Sequence, residues 1–280
     1  MEDSLSQKLI HLADTYETKS FLEKDPSQFM HNYTDTADME VAAFIAANLA
    51  FGRRDQILVH VRSILDAAGS SPSQWIRDGR FTDFFLESDT SFYRMFSHRH
   101  MRLFCTTLQQ ILQVHDSLGS FFQQQYTAQC KMHNACMHNA YTHPNTPDKN
   151  SSFLSAHSGA PLLSSIISDA FPAQCPIVAH GKDSACKKIH MFLRWMVRDN
   201  SPVDLGLWSH WYKKTDLLMP LDTHVMQQAT ELALIPLTKT GKAAAASYKT
   251  AVALTDTLRQ IFPDDPVRAD FALFGLGVDK

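Results

Sequence analysis

The sequence predicts an all-α protein, and three observations support this fold class. Glycine and proline, which interrupt helices, contribute only 10 and 12 of the 280 residues. Apolar residues recur with spacings of three and four along most of the chain, which is the period of a helix with one buried face. No run of four or more residues combines strand alternation with a hairpin turn. We therefore expect helices packed into a single two-lobed unit over residues 1–280.

The individual helices follow from caps and apolar stripes. Asp38 is a suitable N-cap for an almost wholly apolar helix that Gly52 closes, so this helix should be central and buried. The next helix has a stripe over residues 57–65 and ends near Gly69. Asp265 and Pro266 form a good start for a final helix. Other apolar stripes predict helices at 103–112, 162–171, 187–198, 223–234 and 243–262.

Residues 126–161 interrupt this pattern, because they are polar and rich in Asn, His and Ser, and we expect a long loop or insertion there. Five possible zinc ligands lie in this stretch, with the spacing C-x2-H-x2-C-x-H-x4-H: Cys130, His133, Cys136, His138 and His143. The spacing fits no standard zinc finger. The sequence therefore predicts no metal centre and leaves zinc binding open as an alternative.

Composition limits the partners of the chain. Lys plus Arg is 26 and Asp plus Glu is 29, so the net charge of −3 excludes a uniformly basic coat. Positive charge nevertheless gathers at 53–62, 94–102 and 182–198, which leaves a local binding face open. The five cysteines are odd in number and widely spread, which favours a reduced setting. Since the first twenty residues lack an apolar signal core and no apolar run could span a bilayer, we expect a cytoplasmic protein without membrane contact.

Two segments within residues 181–234 carry the candidate chemistry. In LLMPLDTHV a helix starts at or just after Asp222, where backbone N–H groups and the helix dipole would fix the carboxylate. In CKKIHMFLRWMVR, Lys188 lies at the edge of the apolar stripe, so loss of hydration would lower the pKa of its amine and make it a usable nucleophile. Lys187 points away from that stripe and shares an exposed basic side with Arg194 and Arg198. The alternative is an N-cap carboxylate and two solvated lysines.

The run PLDTHV with a helix after it resembles the catalytic-aspartate motif of the helix-hairpin-helix DNA glycosylase superfamily, the class of endonuclease III and 8-oxoguanine glycosylase. EVAAFIAANLAFGRRDQI at 40–57 is similar to the early buried helix of that superfamily, and DPVRADFALFGLG at 265–277 to its closing helix. The archaeal 8-oxoguanine glycosylases look nearest. The strings FLRWMVR and DLGLW point to a separate bacterial family within the superfamily. The resemblance covers most of the chain but not residues 126–161.

The resemblance implies a two-lobed helical fold with a cleft, and base-excision repair of double-stranded DNA with an oxidised purine such as 8-oxoguanine. Asp222 and Lys188 would be the catalytic pair of a glycosylase with lyase activity, with Lys187 still open as the nucleophile. Contacts to the DNA would come from Arg53, Arg54, Gly181, Lys187, Arg194 and Arg198. Aromatic stacking on the base would come from Trp195, Trp208 and Trp211. There is no four-cysteine cluster near the C-terminus, so we expect no iron–sulfur centre and no other cofactor.

The sequence departs from the superfamily at the hairpin before the lysine. The superfamily has Gly-x-Gly there, whereas this chain has Ser184, Ala185 and Cys186, which weakens the expected contact with a DNA phosphate. The thirty-four residues from Lys188 to Asp222 also exceed the separation in endonuclease III. Two alternatives therefore stay open: a non-catalytic nucleic-acid-binding protein of the same fold, and a helical protein with a zinc-binding insertion.

Overall fold

The computed structural model describes residues 3–142, 162–181, 184–237, 241 and 243–278. Most of these residues are helical, and the strands among them form one two-stranded antiparallel hairpin. The predicted helical fold class is confirmed in this main feature. In the described part of the chain, no helix is both long and apolar enough to cross a membrane.

The helices and strands are as follows. The α-helices of the described residues are α1 (Asp3–Tyr16), α2 (Thr36–Leu49), α3 (Arg54–Ala68), α4 (Pro72–Arg77), α5 (Phe81–Phe84), α6 (His98–Val114), α7 (Leu118–Thr142), α8 (Leu163–Asp169), α9 (Lys187–Val197), α10 (Thr223–Glu231), α11 (Tyr248–Arg259) and α12 (Ala269–Val278). The hairpin consists of β1 (Ser91–Tyr93) and β2 (Phe96–Ser97), and 3₁₀ turns lie at Lys19–Lys24, Pro26–Asn32, Lys214–Asp216 and Pro266–Arg268. The apolar stripes predicted α2, α3, α6 and α8 to α12, whereas α1, α4, α5 and the hairpin had no predicted counterpart.

Helix α2 is the central element of the core, as its sequence predicts. Its residues from Val41 to Leu49 are buried. The rings packed around Phe44 are those of Phe104, Phe171 and Phe192. The start of the helix differs from the prediction, because Asp35 rather than Asp38 caps it. Asp38 is buried and accepts the N–H of Ser73 at 2.8 Å, so it fixes the start of α4 instead.

Helix α7 corrects the expectation of a long polar loop. It continues to Thr142, so residues 126–142 are helical, while residues 143–161 lie outside the described residues. No glycine or proline interrupts the chain between Gly119 and Pro144, and Ala, Gln, Lys and Met favour helix. Polarity alone therefore does not predict a loop here, because a helix that packs on only part of its surface is polar over the remainder.

The N-terminal helix α1 packs along α12, which also contacts α10. The approach of α1 to α12 is close at Gly275, where a side chain would overlap the ring of Tyr16. Just after α1, the ring of Phe21 lies edge-on to that of Phe274, with 4.9 Å between centroids. The two ends of the chain therefore meet at α12, and both supply residues to one cavity.

Candidate functional site: a lysine–aspartate pair in a cleft

Asp222 stands at the start of α10, where the sequence predicts it. Its Oδ1 accepts the backbone N–H of Val225 at 2.7 Å, so the carboxylate is the N-cap of this helix. The preceding residues 217–221 are buried, and the N–H of Met219 donates to Thr255 Oγ1 on α11 at 3.0 Å. The carboxylate is thus held from both sides, and its Oδ2 is left to face the cavity.

Lys187, the first residue of α9, supplies the partner of this carboxylate. Its Nζ lies 3.5 Å from Asp222 Oδ2, and both side chains are about one-third exposed. One oxygen of Asp222 therefore caps a helix while the other meets an amine that solvent or a ligand can reach. The 3.5 Å separation is an ion-pair distance, and a small shortening would bring the amine and the carboxylate within the hydrogen-bond distance over which a proton is exchanged.

Lys188 does not face Asp222, which corrects the preferred pairing. Its Nζ donates to the carbonyl oxygen of Ile177 and lies 5.1 Å from the centre of the Phe96 ring and 5.6 Å from that of Phe51. Burial lowers the pKa of Lys188 to about 8, as its apolar surroundings predict. The direction of the side chain differs because successive residues of a helix point about 100° apart. Of two adjacent lysines only one can reach Asp222, and it is Lys187.

The lysine–aspartate pair lies in a cavity of about 210 Å³. The wall is built from the N-terminal part of the chain, the turn between α2 and α3, and helices α9, α10 and α12. Three phenylalanines contribute aromatic surface to the cavity: Phe21, Phe51 and Phe274. Arg54 also lines it, with its guanidinium 5.5 Å from the centre of the Phe274 ring. The cavity therefore combines a lysine amine, carboxylates, a guanidinium and aromatic faces.

Asp270 is a second carboxyl group in the cavity, and sequence reasoning missed it. Burial raises the pKa of Asp270 to about 6, against the opposing effect of Arg194, with which it forms an ion pair. A signal was present, because Asp270 is the one charged residue in the apolar run ADFALFGLG and a charge in such a run needs a partner or a function. Asp25 lines the same cavity, and no pattern in the sequence distinguishes it from other surface carboxylates.

The expected basic face of α9 is wrong for Arg194 and Arg198. Both side chains are almost completely buried, and both pair with Asp204, which follows α9. Arg198 also donates to Asp265 and, at 2.8 Å, to Glu17. The stripe analysis assumed one covered face, but the polar side of α9 is covered as well, and the covering segments supply the carboxylates that neutralise the arginines.

This buried ion-pair network joins both ends of the chain to α9. Glu17, which follows α1, accepts from Arg198 on one oxygen and from Arg268 on the other, at 2.8 and 2.7 Å. Burial would raise the pKa of Glu17, but Arg198 and Arg268 hold it below its ordinary value. Arg194 binds Asp270 inside the cavity. The network therefore fixes the orientation of α9, and with it the position of Lys187.

The three tryptophans expected to contact a base do not line the cavity with Lys187. Trp195 and Trp208 are core residues, and Trp208 Nε1 donates to the buried carboxylate of Glu40 at 2.7 Å. Trp211 is half-buried and packs against Trp208 and the ring of Tyr126. The expectation is wrong because Trp195 is buried in the core, and the rings of Trp208 and Trp211 pack against aromatic residues of α7 and α9. The aromatic faces in the cavity are phenylalanines instead.

The other predicted contact residues have different surroundings. Arg53 is 80% exposed and forms an ion pair with Asp55 at 2.8 Å. Arg54 lines the cavity, so this predicted contact residue lies at the candidate site. Gly181 has a φ of +112°, is exposed, and borders a separate, smaller cavity that His190 also lines. His224, beside Asp222, lies near the carbonyl of Leu273 at 3.1 Å and ties α10 to α12.

The described residues contain no metal-binding cluster that would support the zinc alternative. Among the residues that the structure describes, no group of three His, Cys, Asp or Glu side chains has the geometry to hold a metal ion. Cys130 is a free thiol on α7, and His133 lies one turn further along the same helix. The side chains of Cys136 and His138, and the whole of His143, lie outside the described residues. Zinc binding by this set stays a prediction.

The fold and site define a mostly helical protein with a lysine–carboxylate pair in a cleft. The chain belongs to the family described as "Protein of unknown function (DUF2400)", whose sequence profile matches residues 25–279. The match includes α9, α10 and α12, and therefore Lys187, Asp222 and Asp270. Neither the curated proteins nor the solved structures include a match to this sequence.

Proposed function

We propose that the protein is a DNA base-excision glycosylase with lyase activity that acts on an oxidised purine such as 8-oxoguanine. The observation that carries the proposal is the 3.5 Å approach of Lys187 Nζ to Asp222 Oδ2 at a helix start inside a cavity. The resemblance of PLDTHV to the catalytic-aspartate motif of helix-hairpin-helix glycosylases supports it. The two-lobed arrangement, the duplex DNA partner and the cytoplasmic location belong to the same proposal.

The chemistry starts from a neutral amine. Asp222 accepts a proton from Lys187, and the free electron pair of Nζ forms a bond to C1′ of the nucleotide. The bond between C1′ and the base breaks, and its electrons leave with the base, which takes up a proton. Opening of the sugar ring gives a Schiff base between Lys187 and C1′. Loss of a proton from C2′ then expels the 3′ phosphate and cleaves the strand.

The cavity also offers a seat for an extruded base. Chemistry at C1′ of a paired nucleotide requires that the base leave the duplex stack. Phe21 and Phe274 present aromatic faces for stacking, and Arg54 lies over the Phe274 ring. Asp270, with a pKa of about 6, keeps its proton in part of the molecules near neutral pH and can donate it to the departing base.

A second candidate is a non-catalytic DNA-binding protein of the same fold. The hairpin before α9 favours it, since Ser184, Ala185 and Cys186 stand where the superfamily has glycines. Cys186 has a φ of +42°, a conformation that glycine adopts without strain. The Cys186 side chain occupies space that a glycine would leave open for a DNA phosphate to approach the backbone N–H groups at the N-terminus of α9.

Borohydride trapping on a duplex that contains 8-oxoguanine tests the proposal. The wild-type protein should form a covalent adduct and cleave the strand. Lys187→Gln and Asp222→Asn should abolish the adduct, whereas Lys188→Gln should still form it, although more slowly, because Lys188 holds the start of α9 but does not reach Asp222.

Each contrary result is informative. Absence of an adduct with the wild-type protein on duplexes with 8-oxoguanine and other oxidised purines would refute the enzyme proposal. An adduct that persists in Lys187→Gln and disappears in Lys188→Gln would reverse the assignment of the nucleophile. A salt titration of duplex binding then identifies the second candidate, because a binder weakens steeply as salt rises.

A further inference from the structure

A groove formed by the N-terminal segment continues the cavity that holds Lys187. The groove has a volume of about 390 Å³, compared with about 210 Å³ for the cavity. Lys187 and Asp222 line the cavity but not the groove. The groove therefore lies beyond the residues that line both spaces, on the side away from the reacting pair. These shared residues are Phe21, Asp25, Arg54 and Phe274.

The boundary between the cavity and the groove can open without disturbing the core. The rings of Phe21 and Phe274 lie edge-on with 4.9 Å between centroids and form its closed part. Arg54 borders both spaces beside them, with its guanidinium 5.5 Å from the centre of the Phe274 ring. Arg54 is exposed at the start of α3, and exposed side chains commonly rotate when a ligand binds. A ligand in the cavity therefore reaches the groove past the Arg54 side chain.

The groove is polar where the cavity is aromatic. Beyond the shared residues, the end of α1 and the 3₁₀ turn after it supply hydroxyl groups and charges of both signs: Thr15, Tyr16, Thr18, Ser20, Glu23 and Lys24. Most of these side chains are exposed, so the groove is open to solvent. Such a surface suits a flexible polar chain, which can exchange its contacts with water for hydrogen bonds to hydroxyl, ammonium and carboxylate groups.

We propose that the groove receives a substituent on the far end of the extruded base, and that the substrates include oxidised guanines whose exocyclic amine carries a hydroxylated chain. The inference rests on the proposed function, which places C1′ of the nucleotide at Lys187. A purine is bonded to C1′ through its five-membered ring, whereas the exocyclic amine of guanine lies on the six-membered ring, at the other end of the base. With the base seated on Phe21 and Phe274, a chain on this amine continues past Arg54 into the groove.

Incision of an enlarged base tests the groove. One duplex contains 8-oxoguanine, and a second contains 8-oxoguanine with a hydroxybutyl chain on its exocyclic amine. The wild-type protein should incise the two duplexes at rates within about threefold of each other, because the chain enters a space that is already present.

Thr15→Trp fills the groove, and Ile10→Trp is the matched control. Thr15 is exposed on α1 and lines the groove, so a tryptophan there occupies the groove without entering the core. This variant should slow incision of the enlarged base by about tenfold or more and leave incision of 8-oxoguanine unchanged. Ile10 is 39% exposed on the same helix and does not line the groove, so Ile10→Trp should leave both rates unchanged.

A second measurement does not depend on catalysis. Each duplex is prepared with a 2′-fluoro substituent on the sugar of the modified nucleotide, which blocks loss of the base, and its affinity is measured by fluorescence anisotropy. The wild-type protein and Ile10→Trp should bind the two duplexes with affinities within about threefold of each other. Thr15→Trp should bind the enlarged duplex about tenfold more weakly than the duplex with 8-oxoguanine.

The outcomes separate the groove from the proposed function. Weaker binding of the enlarged duplex by Thr15→Trp, without incision of either duplex by the wild-type protein, would support the groove and refute the glycosylase. Incision of 8-oxoguanine by the wild-type protein, with a loss of about tenfold or more on the enlarged base, would overturn the groove and keep the glycosylase. The groove would also be overturned if Thr15→Trp behaved like the wild type or like Ile10→Trp, if it affected both duplexes equally, or if neither duplex bound.

Discussion

Arg198→Met is expected to destabilise the fold strongly without acting on DNA contacts. The Arg198 side chain is 2% exposed and pairs with Asp204, Asp265 and Glu17. Removing one member of a buried ion pair costs about 3–5 kcal/mol, because a charge is left buried without compensation. Arg268 still holds Glu17, and Arg194 Nε stays 3.3 Å from Asp204 Oδ1. We therefore expect the free energy of unfolding to fall by about 3–5 kcal/mol in total, and not by that amount for each carboxylate.

Thermal and urea unfolding, followed by circular dichroism, measure this loss. A change of this size should lower the melting temperature by roughly 10 °C in a chain of this length. The control is Arg53→Met, whose side chain is exposed in an ion pair with Asp55 and should change stability by about 1 kcal/mol or less. Adding Asp265→Asn to Arg198→Met should recover part of the loss, since Arg198 is the ion-pair partner of the Asp265 carboxylate and its removal leaves that charge without compensation.

Two results would refute this reasoning. One is an Arg198→Met protein as stable as Arg53→Met, which would mean that the carboxylates around Arg198 are solvated. The other is a folded Arg198→Met protein whose duplex binding has become weaker and less dependent on salt, which is the signature of a lost phosphate contact. The second result would restore the DNA-contact role that the sequence predicts for this residue.

Three further predictions concern buried groups. Trp208→Phe should lower the free energy of unfolding in urea by about 1–3 kcal/mol, because Glu40 loses a buried hydrogen-bond donor. Borohydride trapping by the folded protein should stay unchanged, and reduced trapping would show that Trp208 contributes to the site. Burial lowers the pKa of His190 to about 4, whereas its pKa in the unfolded chain is about 6.5. The stability that a neutral His190 confers is therefore fully present above pH 6.5 and is lost as the pH falls toward 4. Between pH 7.5 and 5 the wild type should lose about 2 kcal/mol more than His190→Gln, and equal losses would contradict a buried neutral imidazole. A side chain at position 277 would overlap the His224 ring, so Gly277→Ala should displace this ring and shift α10. Borohydride trapping should then fall by about tenfold or more. Unchanged trapping would show that α10 tolerates the shift.

Local sequence patterns predict the helical framework because caps and apolar spacing are local properties. Asp222 is recognisable as an N-cap from the residues that follow it, and the structure has it in that role. The stripe of α9 also predicts that Lys187 and Lys188 point in different directions. The stripe does not show which of the two lysines points toward Asp222, because this depends on how α9 packs against α10 and α12. The choice between the two lysines is a tertiary property.

The wrong predictions share one physical cause. Arg194 and Arg198 were assigned to an exposed face from their position on one helix, and Trp208 was assigned to a base pocket from the resemblance. Segments distant in sequence cover all three. Glu17 lies 181 residues from Arg198, and Glu40 lies 168 residues from Trp208. A polar or amphipathic side chain looks exposed from local sequence when its buried partner is far along the chain. Phe21 and Asp25 were missed for the same reason, because only the tertiary packing of the N-terminal segment brings them to the cavity.

The two adjacent lysines therefore have complementary roles at one site. Lys188 is buried, donates to the carbonyl of Ile177, and holds Phe51 and Phe96 against α9. On the polar side of α9, Arg194 and Arg198 hold the helix against the chain ends. These buried charges contribute little net stability, but each contact has a defined geometry, and together they fix the start of α9 in position and rotation. Lys187 is thereby placed with its amine 3.5 Å from Asp222 Oδ2 in the cavity, and its side chain stays about one-third exposed.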